Sequence, residues 1–96
     1  MLASYDPYVY SHWPVLNGMG APTLDCTGNV GRFVFYIETK APGEVPTPRQ
    51  WITINRMRRS GATVFVLDGD AIVMAEFAEW IRERAELAME EETMYE

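Results

Sequence analysis

Phe33-Val34-Phe35-Tyr36-Ile37-Glu38-Thr39-Lys40 constrains this chain more than any other stretch. From Phe33 to Thr39 every residue is a strand former except Glu38, and a carboxylate inside such a run is a costly misfit unless something compensates it. Side chains alternate along a strand, so Val34, Tyr36, Glu38 and Lys40 share one face, while Phe33, Phe35, Ile37 and Thr39 share the other. An acid and a base two residues apart on one face can hold a cation and stabilise developing anionic charge at one place, as phosphodiester chemistry requires. The plain alternative is a same-face surface ion pair, which contributes little to stability.

Chain length limits what surrounds that strand. At 96 residues there is room for a single domain with a modest core, and association with a second copy would cover further apolar surface. No apolar run approaches a membrane span, and the first residues lack the basic start and apolar centre of a signal peptide, so a cytoplasmic protein with no membrane partner is expected. The lone cysteine, Cys26, rules out an internal disulfide framework and a multi-cysteine zinc site.

The net charge of -6 speaks at first against a nucleic-acid partner. Its distribution alters that reading. Residues 71–96 hold eight glutamates against two arginines, whereas residues 26–60 hold six bases (Arg32, Lys40, Arg49, Arg56, Arg58, Arg59) against Glu38 and Glu44. A basic middle is joined to an acidic end. The arginines Arg32, Arg49, Arg56, Arg58 and Arg59 are candidate phosphate contacts, with a solvated helix face as the alternative.

In chain order, residues 1–21 are rich in aromatics and broken by Pro7, Pro14, Gly18 and Gly20. They predict an irregular arm with at most one helical turn from Asp6-Pro7 to about His12. Its aromatics either pack on the body, cover a second subunit or stack on bases. Thr23 to Thr27 predicts a short strand, and Gly28-Asn29-Val30-Gly31 supplies turn chemistry for a hairpin into Phe33 to Thr39. If that hairpin is centred between Gly31 and Arg32, Asp25 lies across from Glu38. Ala41 to Pro46 is a loop, and Thr47-Pro48 is a capped helix start running to about Arg59 and ending at Ser60-Gly61. Thr63 to Leu67 reads as a buried strand, plausibly parallel to Phe33 to Thr39 because a crossover helix joins them. Asp68-Gly69-Asp70 caps a helix from Ala71 to about Glu91, with Phe77, Trp80, Ile81 and Leu87 on its apolar stripe.

Asp25, then Glu38-Thr39-Lys40, then Gln50 near a helix start, resembles the Asp/Glu-x-Lys nuclease superfamily. More narrowly, residues 20–25, Ile37-Glu38-Thr39-Lys40-Ala41, Pro46-Thr47-Pro48-Arg49-Gln50 and residues 61–66 are similar to the VRR-NUC family of virus-type replication and repair nucleases. The resemblance covers roughly residues 20–68. It implies an α/β fold with a restriction-endonuclease-like core, a small mixed sheet with an Asp/Glu-x-Lys hairpin flanked by helices. Residues 1–21 would be an arm, 22–70 the catalytic core and 71–96 an acidic helix and tail. The implied activity is Mg2+- or Mn2+-dependent hydrolysis of phosphodiester bonds in DNA, selective for branched or junction structures in phage replication or repair, by a homodimer in the host cytoplasm.

Under that resemblance Asp25, Glu38 and the Thr39 carbonyl would ligate the metal. Lys40 would orient the attacking water and steady the phosphate, and Gln50 would hold Lys40, the water or a phosphate oxygen. The family generally carries another glutamate ahead of the hairpin. This chain has none before Glu38, and Asp6 is the only acid upstream of Asp25. That absence bears on the number of metals and the rate. A second hypothesis, from a different class, is a catalytically silent DNA-binding or assembly subunit that retains the nuclease fold. Cys26 with His12 as a thiol nucleophile and base is the weaker chemical option, because Cys26 falls on the face opposite Asp25 and reads as core.

Overall fold

The computed structural model describes residue 5 and residues 7–13 and 24–94. Four strands and two helices follow the order β1 (Val9–His12), β2 (Cys26–Val30), β3 (Phe33–Thr39), α1 (Pro48–Arg59), β4 (Thr63–Leu67) and α2 (Ala71–Met94). The strands form one mixed sheet in the order β1-β2-β3-β4. β1, β2 and β3 pair antiparallel, while β4 pairs parallel to β3 after the α1 crossover. An α/β class with a four-stranded mixed sheet is thus established.

Strand alternation sorts the core into two layers. Phe35 and Ile37 point to α2, where they pack with Cys26, Val30, Phe77, Ile81 and Ala85. Tyr36 and Val66 point to the other face, against the cluster of Leu24, Ile54 and Val64 under α1. The α2 layer is aromatic: Phe35 and Phe65 each meet Phe77 and Trp80 edge-on, with centroids 5.0–6.0 Å apart. Such edge contacts add stability beyond the area they bury.

Several local expectations change. Val9 to His12 form a strand instead of part of a helical turn. The helical tendency is confined to a tight turn in which Tyr8 N–H donates to the Tyr5 carbonyl at 2.8 Å. Beyond it, Val9 and Ser11 are half-buried while Tyr10 and His12 are exposed, the two-residue period of a strand lying on a sheet. Asp6, the expected cap of that turn, and Thr23, the expected start of β2, lie outside the described residues.

Gly28, Asn29 and Val30 belong to β2, not to the turn, which shrinks to Gly31-Arg32 between the paired Val30 and Phe33. Gly31 adopts a φ of 54°, the left-handed conformation that glycine allows without strain. Gly28 is required for another reason: a Cβ there would stand 2.5 Å from the Tyr10 carbonyl oxygen and 2.6 Å from the Phe35 ring. Removing the side chain is what lets β1 and Phe35 close on β2.

β4 is an edge strand in which only Val64 is fully buried, so its continuous apolar run reflects packing between two helices rather than strands on both sides. α2 extends to Met94, past the expected end, carried by residues of high helix propensity. Its buried stripe is Phe77, Ile81 and Ala85, while Leu87 is exposed. None of the described helices is long and apolar enough to cross a membrane.

Candidate active site

The β2–β3 register pairs Cys26 with Ile37 and Val30 with Phe33. Continued by one residue, it sets Asp25 opposite Glu38. The chain bends at Asp25, so Leu24 faces the α1 layer and Cys26 the α2 layer. At that bend the Asp25 carboxylate accepts two hydrogen bonds on Oδ2, from Thr39 N–H at 2.8 Å and from the Thr39 hydroxyl at 2.7 Å. Its Oδ1 is not engaged by either bond. The role of the Thr39 side chain has no signal in the sequence, because it depends on two segments meeting across the hairpin.

Glu38 is the sole charged residue in the described core, 5% exposed. Lys40 Nζ lies 3.5 Å from Glu38 Oε1, with only 15% of the lysine side chain accessible. The lysine backbone is pinned as well, because Lys40 N–H donates to the Leu67 carbonyl at 2.9 Å where β3 and β4 end side by side. This is not the solvated pair of the plain reading.

α1 brings the fourth residue. Thr47 caps the helix by accepting from Gln50 N–H at 3.1 Å, and Gln50 Oε1 accepts from Thr47 N–H at 2.9 Å, a reciprocal capping box with Pro48 at the first helical position. With its carbonyl held, the Gln50 amide turns its Nε2 to Glu38 Oε1, donating at 2.8 Å. Gln50 therefore holds Glu38 rather than Lys40, because the cap fixes which end of the amide points inward.

Burial pushes the Glu38 carboxyl above the usual carboxylate range, and the charge of Asp25 pushes in the same direction. Lys40 and the Asp25 backbone N–H pull it back only in part. Two acids on adjoining strand ends, one of them buried, would gain from a cation near both. Asp25, Glu38 and the Thr39 carbonyl could together offer only oxygen ligands, which would suit a hard ion such as Mg2+ or Mn2+. Among the described residues no group of three or more His, Cys, Asp or Glu side chains comes together. Bound water would have to complete the shell.

The remaining predicted residues divide. Arg49 is exposed beside Gln50 at the start of α1. Arg56, Arg58 and Arg59 occupy the last turn of α1, about 9–14 Å farther along the helix axis. Arg58 is partly committed, donating from Nη2 to the Val64 carbonyl at 3.0 Å. Arg32 sits at the far end of β3, paired with Glu91 at 2.8 Å. Tyr36 is half-buried against the α1 cluster. Cys26 is fully buried, and burial with the nearby Asp25 charge raises its thiol pKa, which keeps it protonated and unreactive.

No family model, curated protein or solved structure matches the chain.

Proposed function

We propose that this chain is a metal-dependent DNA endonuclease of the virus-type replication-repair nuclease kind. One observation carries the reading: Lys40 Nζ and Gln50 Nε2 converge on Glu38 Oε1, with the Asp25 carboxylate on the adjoining strand end. A buried acid beside an almost buried lysine, with a second acid on the adjoining strand end, is an expensive arrangement for stability alone. It suits a reaction in which negative charge arrives and grows.

Asp25, Glu38 and the Thr39 carbonyl would hold Mg2+ or Mn2+. When bound, the cation supplies charge neutralisation at the phosphate and a more acidic water. Lys40 donates hydrogen bonds to the attacking water or to a non-bridging phosphate oxygen, where negative charge grows in the transition state. Gln50 keeps Glu38 in one orientation, and Thr39 does the same for Asp25. Arg49, exposed at the entrance, contacts a flanking phosphate. Two such sites in a homodimer would stand at fixed spacing, which suits a two-fold branched substrate better than uniform duplex.

A catalytically silent DNA-binding or assembly subunit is the second reading, favoured by the two-carboxylate donor set and by the acidic α2. Incubating labelled flap, splayed-arm and four-way-junction DNA with the protein and Mn2+ or Mg2+ separates the two. The endonuclease reading expects cleavage of a branched substrate that is lost in Glu38→Ala. Absence of cleavage across the panel, with DNA binding retained, assigns the chain to the second.

A further inference from the structure

At the end of β3 opposite Glu38, a polar cleft of about 380 Å³ is lined by Arg32, Phe33, Tyr36, Thr63, Trp80 and Arg84, among others. Its cations come from different elements, Arg32 from the hairpin turn and Arg84 from the middle of α2. The Arg32 guanidinium lies 4.3 Å from the Phe33 ring centroid. That of Arg84 lies 5.6 Å from Phe33 and 4.7 Å from Trp80. Aromatic faces hold both planar groups in place, so little freedom is lost when each fork takes a bidentate oxyanion. Guanidinium groups already lie over those rings, which leaves planar donor forks rather than bare aromatic faces toward the cleft, a surface suited to an oxyanion more than to a stacked base.

The acids now paired with these arginines are weak competitors. Arg32 meets Glu91 with side chains 66% and 39% exposed, and Arg84 meets Glu83 at 3.2 Å with 28% and 51% exposed. The Arg32–Glu91 pair and the Glu83 carboxylate are open to solvent, where ion pairs contribute little, so a phosphate can take their place. Phe33 precedes Glu38 by five residues on one strand, so about 17 Å of strand separates the two positions, and their side chains point to opposite faces of the sheet.

We propose that this cleft holds a phosphate of the same nucleic acid on which the Asp25–Glu38 site acts, with Arg84 as the principal contact and Arg32 released from Glu91 as the second. The proposal rests on the DNA reading of the first site. It places a second grip on the strand or arm beyond the reacting bond, on the α2 side of the sheet, where the overall charge alone would not suggest one.

Fluorescence anisotropy with a labelled 20-nucleotide single strand and the matching duplex, in EDTA, tests the grip without cation or cleavage. Arg84→Gln should weaken binding about five- to tenfold and lower the slope of log K against log salt by about one. Arg84→Lys keeps the stem over the rings and should fall between the two. Glu91→Gln alters an exposed residue and frees Arg32, so it should tighten binding about two- to threefold. Unchanged affinity in both Arg84→Gln and Glu91→Gln overturns the proposal whatever the cleavage assay gives. If Arg84-dependent binding is present but no branched DNA is cut, the grip stands and the nuclease reading falls. Displacement of the oligonucleotide by inorganic phosphate or dTMP at matched phosphate concentration would make this a free-anion site and remove the nucleic acid from it.

Discussion

Gln50 Nε2 donates to Glu38 Oε1 across 2.8 Å while its own carbonyl oxygen caps α1 on Thr47 N–H. One amide therefore ties the helix start to the buried acid, and α1 cannot shift without moving Glu38. Gln50→Leu removes both bonds. Loss of an outer partner of this kind typically lowers metal affinity or activity by about 10- to 100-fold, and losing the reciprocal bond to Thr47 N–H and the hydrogen bond to Glu38 destabilises by about 1–3 kcal/mol, although the Thr47 hydroxyl still caps the helix. Denaturant unfolding and a Mn2+ titration of the variant check the two effects separately. Equal affinity for Mn2+ in wild type and variant would show that Gln50 serves the helix alone.

Glu38 sets a pH dependence of definite sign. Its carboxyl is raised in the folded chain above the ordinary value of 4.5, chiefly by burial. The folded state thus binds more protons than the unfolded state between the two values. This residue's contribution to stability is fully present below the unfolded pKa and is lost as pH rises through the folded one. In EDTA at neutral pH, Glu38→Gln should raise Tm by about 2–5 °C. The gain should vanish in acid. A variant that melts lower than wild type at neutral pH would mean that the Lys40 pair outweighs the burial of the acid.

Divalent cations should reverse that ranking. An ion that binds only the folded chain stabilises it by about 2.7 kcal/mol at a hundredfold excess over Kd, about 10 °C or more in a domain of this size. Differential scanning fluorimetry in excess Mn2+ should show this rise in wild type and little of it in Asp25→Asn or Glu38→Gln. A melting curve indifferent to Mn2+ and Mg2+ removes the cation from the account.

Gly28→Ala tests the sheet rather than the site. The new Cβ meets the Tyr10 carbonyl oxygen at 2.5 Å and the Phe35 ring at 2.6 Å, and backbone must yield on the β1 side. A destabilisation of about 1–3 kcal/mol is expected from chemical denaturation. A neutral result would mean that β1 is held only loosely on β2.

How much of this was legible beforehand varied with the range of the interactions involved. The parallel β3–β4 pair, the Thr47 cap and the helix boundaries near Pro48 and Arg59 rest on local chemistry, and alternation, capping residues and Pro reveal them directly. The β2–β3 register follows in the sequence only from setting the two acids opposite each other, because Gly28 to Gly31 reads as the turn and the turn is in fact Gly31-Arg32. β1 was not legible, because its pairing depends on a missing side chain at Gly28, some 18 positions after Tyr10. The grip of Thr39 on Asp25 and the turn of Gln50 toward Glu38 escaped for the same reason. Hydrogen bonds between segments leave no period in a sequence. Arg84 carries no signal of its own among the charges of α2, and only the closeness of Phe33 and Trp80 distinguishes it.

The most direct measurement is single-turnover cleavage of a labelled branched DNA by Lys40→Ala under conditions where Mn2+ binding is shown to be intact. Lys40 lies 3.5 Å from Glu38 and contributes no oxygen to the cation, so its loss should leave the Mn2+-induced rise in Tm in place. The cleavage rate should fall by about 10²–10³. A Lys40→Ala protein that cuts at the wild-type rate, or a wild-type protein that binds Mn2+ and branched DNA yet cuts neither strand, contradicts the assignment of Asp25, Glu38, Lys40 and Gln50 as a phosphodiesterase centre.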